Sequence, residues 1–389
     1  MNASLRLWIA IFVVAFGTNV PTPLLLVYRN ELGLSPSALT GAFGIYAAGL
    51  VPALLLAGPA SDRFGRRRVV LPFVVLSIVT SLLFLGAGSS VLLLYVCRFL
   101  QGAVSGVVFS VGTAWLAELM DDPPRAAKLT AAALGGGWAI GPLVSGILAQ
   151  WAPGPTVTPY LVHVALMIVG LALVPPVPET LAPADRRAGA LVNLGVPRAA
   201  RRAFGLVVVP VAIGVFTFPS TAVTVLPLLL TPSLPTIAVA VTGFAAGVTL
   251  ITGVFAQPLG YRLGAVTAGP VGLAIGAAGL GLSLLGAAVD IPIILLPVAL
   301  LLGVGYGLCL AAGLTLVGEL ASPTARGALT GTFYACAYLG FFVPLVMSLA
   351  GGSAGFTGPI AVVAVIVAVV AGALLLPSAR KLVAGAVQA

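Results

Sequence analysis

Two long uncharged runs set the tightest limit on what this chain can fold into. Leu39–Ala57 and Val69–Cys97 contain no Asp, Glu, Lys or Arg. Each is about twenty residues or longer, enough for one helix to cross ~30 Å of hydrocarbon at ~1.5 Å per residue. Between them lies Gly58-Pro59-Ala60-Ser61-Asp62-Arg63-Phe64-Gly65-Arg66-Arg67-Arg68. This arrangement predicts a hairpin of two membrane-spanning helices, with four arginines holding the turn in water.

The rest of the chain repeats the theme. Only 7% of its 389 residues are charged and 60% are hydrophobic, against roughly 25% charged in soluble proteins. About twelve spans of twenty residues would use most of the length and leave no room for a soluble catalytic domain. The 48 glycines and 30 prolines would disrupt a soluble helical protein; in a bilayer, neighbouring helices re-satisfy the freed backbone groups. Expected spans are 5–27, 38–59, 69–88, 91–118, 128–151, 158–177, 203–231, 236–259, 265–287, 291–319, 327–350 and 357–377. The first is read as a retained helix, since its apolar part is long for a signal peptide and lacks a small-x-small cleavage site.

The net charge of +9 does not point to nucleic acid, because the basic residues are scattered over loops. With the N-terminus inside, nearly all of them fall on one side and only Arg29 on the other. The positive-inside rule then places both termini in the cytoplasm of a multi-pass plasma (inner) membrane protein. Cys97, Cys309 and Cys336 sit in apolar runs without ligand spacing, so neither a disulfide framework nor a metal site is expected. No cofactor is expected.

The longest polar segment divides the chain into an N-terminal six-helix bundle (1–177), a cytoplasmic linker (178–202) and a C-terminal bundle (203–389). The halves echo each other. Arg98-Phe-Leu-Gln-Gly102-Ala-Val-Ser-Gly106 has a counterpart in Ala299-Leu-Leu-Leu-Gly303-Val-Gly-Tyr-Gly307. Glu118 precedes Arg125 as Glu319 precedes Arg326, and Gln257-Pro-Leu-Gly-Tyr-Arg-Leu-Gly264 weakly repeats the first hairpin. Duplicated halves are a signature of secondary transporters, which bind substrate near the midplane between repeats.

Gly58 to Arg68 resembles the hallmark loop of the major facilitator superfamily. Arg98-Phe-Leu-Gln101-Gly102 is similar to that family's helix-four motif. Gly137-Trp-Ala-Ile-Gly141-Pro142-Leu-Val-Ser-Gly146 is similar to the helix-five motif of its antiporters, with Ser-Gly in place of the final Gly-Gly. The resemblance, strongest to the twelve-helix drug:proton antiporters, implies an all-α integral membrane fold of twelve transmembrane helices in two pseudo-symmetric six-helix bundles.

It also implies roles. Gly58, Asp62, Arg63, Gly65, Arg66 and Arg67 are expected to form a conformational latch, with Asp62 near a helix N-terminus and the glycines allowing close approach. The alternative reading of these arginines is a topology anchor. Arg98, the only strong base inside a span, is expected to face a cavity together with Asn19 and Gln101, or to act as structural glue. Tyr46, Trp138, Phe216, Tyr306, Tyr334 and Tyr338 are candidate cavity aromatics, each taken alone being more often a packing residue. Gly137, Gly141, Pro142 and Gly146 fit either a hinge or close helix packing. Glu118, Arg125, Glu319 and Arg326 are candidate gate groups at helix ends, Glu118 and Glu319 pairing with Arg125 or Arg326. His163, the only histidine, is expected at an interface or satisfied, with proton transfer the lesser reading. Asp290 is expected to cap the start of the tenth helix.

These features favour a monomeric exporter of a small, largely apolar compound in the lipid bilayer, driven by protons. No acid lies in the middle of any span, which points to a neutral or weakly anionic substrate. The alternative is a facilitator or uptake carrier for a sugar-like or anionic metabolite held by Arg98. An enzyme would need a cluster of nucleophilic or ligating residues that one histidine and no intramembrane acid cannot build.

Overall fold

The computed structural model describes residues 1–181, 195–230, 233–321 and 326–388. Arg186 and Arg187 of the expected linker lie outside these residues. The first compact unit takes Met1–Val192 together with Val239–Gly247, and the second takes Asn193–Ala238 and Val248–Ala389.

In the first unit the helices are α1 (Ala3–Asn19), α2 (Pro21–Leu32), α3 (Pro36–Phe64), α4 (Arg66–Phe84), α5 (Val91–Val107), α6 (Thr113–Glu118), α7 (Pro123–Trp151) and α8 (Thr158–Leu173). A π turn, Val108–Gly112, joins α5 to α6. The chain then continues as α9 (Arg201–Ala203), α10 (Val209–Leu230), α11 (Ala238–Leu263), α12 (Ala265–Val289), α13 (Leu295–Leu320), α14 (Arg326–Tyr338), α15 (Val343–Gly351), α16 (Thr357–Leu375) and α17 (Pro377–Gln388). Among the described residues, 11 helical stretches are long and apolar enough to cross a membrane, with Thr158–Leu173 a shorter apolar helix. This is a multi-pass membrane protein.

Local chemistry explains the helix ends. Ser35 precedes Pro36 and its hydroxyl accepts the Ala38 N–H at 3.1 Å. Asp122 precedes Pro123 and accepts the Arg125 N–H at 3.0 Å. Both are side-chain caps followed by proline at the first helical position, where its missing N–H costs nothing. The sixth expected span, 158–177, stops as a regular helix at Leu173, just before Pro175 and Pro176, which cannot donate. The expected N-cap at Asp290 is overturned: Asp290 ends α12 in a left-handed conformation (φ 52, ψ 45), and its carboxylate accepts from Ser233.

The first hairpin is tighter than its polar sequence suggests. α3 runs through Pro59, Asp62 and Arg63 to Phe64, and α4 begins at Arg66, so Gly65 alone makes the turn. Its φ of 97 and ψ of 151 lie where only glycine is comfortable. The second unit repeats the device at Gly264 between α11 and α12, with φ 76 and ψ 150. Pro59 precedes the first turn glycine by the same interval as Pro258 precedes the second.

Glycine pairs then set the helix crossings. A Cβ on Gly106 would sit 2.5 Å from the Leu50 carbonyl, and one on Gly102 would strike the Tyr46 carbonyl, both on α3. In the second unit, a Cβ on Gly303 would sit 2.6 Å from the Thr249 carbonyl and one on Gly307 would strike that of Gly253, both on α11. Such backbone contact is how helices gain packing energy where lipid tails supply no hydrophobic drive. Outside these contacts the apolar side chains turn outward: Val362, Val365, Ile366 and Val369 of α16 are all exposed.

Gly102→Val or Gly307→Val is expected to cost about 3 kcal/mol or more, because a rigid backbone carbonyl occupies the space. Gly281→Ala, with nothing within 4 Å of the added carbon, is expected to be neutral. Melting temperatures of the detergent-purified variants check both.

Candidate functional site

The Gly65 turn places two consecutive helix ends side by side, and Arg66 exploits this. One Nη atom lies 2.6 Å from Asp62 Oδ1 and also donates to Ser61, while the other lies 2.8 Å from Glu118 Oε1. Its Nε donates to both Glu118 oxygens at 3.3 Å. These are the two ion pairs among the described residues. Half-exposed pairs of this kind contribute under about 1 kcal/mol each. Their value is positional: one guanidinium joins α3, α4 and the end of α6.

The chain beyond α8 closes over the same cluster. Glu179 accepts the backbone N–H groups of Arg66 at 2.9 Å and of Arg67 at 3.0 Å, one on each carboxylate oxygen. Gly65 has no side chain with which to cap α4, so Glu179 supplies that cap from a distant segment, for about 1 kcal/mol. Thr180 donates to Glu118 Oε2 at 2.5 Å. Arg67 donates to the Pro175 carbonyl at 3.0 Å, and Trp115 Nε1 to that of Pro178 at 2.9 Å.

Three expectations change here. Glu118 does not pair with Arg125, whose exposed side chain lies beyond the Asp122 cap; it pairs with Arg66. Gly58 makes no close approach, since a Cβ there would meet nothing within 4 Å; instead its carbonyl accepts Ser61 at 2.8 Å. Arg63 is exposed and stacks over Phe64 at 5.3 Å. Glu319 is exposed at the end of α13, and the Arg326 side chain lies outside the described residues.

Arg98 is enclosed rather than exposed to an open cavity, with 2% of its surface accessible. Its Nε donates to the Ala42 carbonyl at 3.2 Å, and one Nη donates to Gln101 Oε1 at 2.5 Å and the Thr18 carbonyl at 3.4 Å. The guanidinium lies over the rings of Phe43 at 5.3 Å and Tyr46 at 4.9 Å. A lone arginine inside a span costs about 3 kcal/mol on insertion scales. Two desolvated ring faces at about 1–2 kcal/mol each, with three oxygen acceptors, are of the size needed to offset it.

The partner of Gln101 has a backbone origin. Pro21 has no N–H to give the carbonyl one turn earlier, at Gly17, which keeps only the Val20 N–H at 3.3 Å, and Gln101 Nε2 donates to the same oxygen at 2.6 Å. The same rule places Asn19 elsewhere than the Arg98 cluster. Pro142 leaves the Trp138 carbonyl without its helical donor, and Asn19 Nδ2 donates to it at 3.2 Å, while Thr22 donates to Asn19 Oδ1 at 3.3 Å. In the second unit Pro344 cannot donate to the Gly340 carbonyl, which takes the Val343 N–H in a tighter turn and the Ser220 hydroxyl at 3.1 Å.

The helix-five glycines split between two neighbours. A Cβ on Gly137 would lie 2.6 Å from both the Ala15 Cβ and the Phe12 carbonyl, and one on Gly141 would strike the Phe16 carbonyl, so both face α1. Gly146 faces the start of α11, where a Cβ on it would lie 3.0 Å from the Gly243 Cα. Trp138 packs edge-on to Phe109 at 5.5 Å. In the second unit Phe216 stacks with Tyr338 at 4.5 Å and with Tyr306 at 6.2 Å, and Phe341, absent from the sequence reading, joins them at 5.1 Å. Tyr334 packs against Phe333 instead. His163 is buried at 2% exposure, facing inward against α1 and α4 rather than lipid.

The sequence model of the Major Facilitator Superfamily matches residues 7–234, more than half of the chain. Multidrug resistance protein MdtL of Escherichia coli O157:H7 is 40% identical over 100 residues, which cover 26% of this chain and 25% of that protein. MdtL of Shigella boydii serotype 18 (strain CDC 3083-94 / BS512) is 39% identical over the same shares. The chain thus matches about a quarter of the length of these relatives. The solved structure of a peptide transporter POT in complex with sulfate has a TM-score of 0.82 at 14% identity, covering 98% of this chain and 95% of that one. A variant of the nucleoside transporter NupG has a TM-score of 0.74 at 14% identity, covering 99% and 100%. At these identities the structures speak to fold alone.

Asn19→Ala is expected to cost about 1–3 kcal/mol by stranding the Trp138 carbonyl. Asn19→Asp is expected to cost more, since a carboxylate cannot donate there and sets a charge against that oxygen. Thermal unfolding of the two variants side by side reads the difference.

Proposed function

The chain belongs to the Major Facilitator Superfamily, and on that premise we propose that it works by alternating access, exporting a small, largely apolar, neutral or weakly anionic compound. It is a transporter and not an enzyme. In this reading twelve spans form two six-helix bundles, residues 1–177 and 203–389, joined by a linker at 178–202. The protein is a monomer in the inner membrane, both termini are cytoplasmic, and inward proton flow drives export.

The observation that carries the reading is the Arg66 cluster. One cation links Asp62, Glu118 and, through its backbone, Glu179 at the ends of three elements, an arrangement that a mere topology anchor does not need. It supports a latch whose charge-assisted bonds form in one conformation and break in the other. The MdtL resemblance supports export, and a span interior without acids supports an uncharged or anionic cargo rather than a cation. The aromatic group of buried Phe216, Tyr306 and Tyr338 with half-buried Phe341 suits an apolar compound. Uptake of an anion by Arg98 is the weaker reading, because its Nε, one Nη and both ring faces are already engaged by the protein.

Asp62→Asn is expected to lower transport about tenfold, the weight of one charge-assisted hydrogen bond of ~1.5 kcal/mol, with membrane insertion unchanged. Efflux in energised inverted vesicles that collapses with a protonophore supports the proposal. Full activity of Asp62→Asn removes the latch, and downhill uptake indifferent to the protonophore removes proton-driven export.

A further inference from the structure

Inside the first unit, α1, α4, α5 and α8 enclose a space whose lining is mostly polar: Thr18, Thr80, Ser81, Gln101, Ser105 and His163 all border it. Polar side chains gathered between four apolar helices need hydrogen-bond partners, because no bulk water reaches them. Thr80 shows that the protein alone does not supply them all. Its residue is 2% exposed, and its hydroxyl oxygen is buried without a partner.

Counting protons sharpens the point. Thr18 and Ser105 lie 3.0 Å apart, Thr18 lies 3.1 Å from the Val14 carbonyl, and Ser105 lies 2.9 Å from that of Gln101. The Tyr46 hydroxyl bonds to both as well, so three hydroxyl protons are shared among these oxygens and the two carbonyls, and hydroxyl lone pairs remain as acceptors. At the other end His163 Nε2 lies 3.2 Å from the Val13 carbonyl, which can only accept, so in the neutral ring Nε2 carries the proton. Nδ1 then accepts from Ser81 at 2.7 Å, and Ser81 has only lone pairs left for the cavity. Among the groups named, Thr80 is the buried hydroxyl without a partner, and acceptor positions remain on the others.

Its size selects the ligand. The space has room for about one water molecule, which needs two to four polar partners to be held. We propose that this cavity is a binding site for a single structural water. The water satisfies Thr80 on α4. Donating to Ser81 with one proton and to Thr18 or Ser105 with the other, it joins the Ser81–His163 pair to the Thr18–Ser105 pair. The inference is independent of the substrate and direction proposed above.

Thr80→Val tests this by the sign of its effect. In a dry cavity the change removes a stranded hydroxyl, and the melting temperature of the purified protein holds or rises. With water bound, the change takes away one of its partners and the melting temperature falls, while Thr80→Ser, which keeps the hydroxyl, stays near the parent. Thr80 and Ser105 share no direct hydrogen bond, so Thr80→Val and Ser105→Ala are expected to be non-additive through the shared water. An unchanged or raised melting temperature with Thr80→Val, or strict additivity in that cycle, overturns the proposal. So does a high-resolution map with no solvent density within hydrogen-bond distance of Thr80 Oγ1.

Discussion

A carbonyl that loses its usual helical donor to proline cannot turn to water inside a bilayer, so a tightened turn, a side chain from another helix, or both must meet it. That requirement accounts for the polar side chains at the helix breaks of both units. Gln101 serves Gly17 beside Pro21, Asn19 serves Trp138 beside Pro142, and Ser220 serves Gly340 beside Pro344. Each bond ties one helix to another at a proline. Arg98 depends on the first of these. Gln101, held by the Gly17 carbonyl, presents its oxygen to the guanidinium, and the charge is accommodated without a carboxylate partner.

Close packing supplies the second half of the argument. Where lipid replaces water, helices gain little from burying apolar side chains against each other and much from bringing backbones together. Gly102 and Gly106 bring α5 onto α3, and Gly303 and Gly307 bring α13 onto α11 with the same pairing of glycine against carbonyl. The hairpins that precede these crossings turn at Gly65 and Gly264 in nearly the same conformation. The internal duplication is therefore a duplication of contacts as well as of letters. Rigid crossings of this kind suit elements that move as bodies, with change concentrated at their charged ends.

Such a charged end is present in the first unit. Arg66, Asp62 and Glu118 sit at an exposed boundary where ion pairs are individually weak, and the Glu179–Thr180 segment closes over them from the far side of α8. Weak, mutually supporting bonds are easily broken and remade together, which fits a device that must favour one arrangement without locking it. A dry core of the same groups would be too costly to open.

The residues by themselves determined whatever depends on local spacing. Uncharged runs measured against a bilayer located the spans, Gly65 marked the hairpin, and Asp62 with Arg66, one turn apart, could be read as neighbours, as could Arg98 with Gln101. The tertiary structure decided which distant groups met. Glu118 reached Arg66 rather than Arg125, Glu179 capped a helix more than a hundred residues upstream, Asn19 left the Arg98 cluster for a proline-freed carbonyl, and His163 turned inward. Periodicity and composition act within a turn or two of helix, whereas a hydrogen-bond partner in lipid is whichever group the packing of separate helices brings within 3 Å or so.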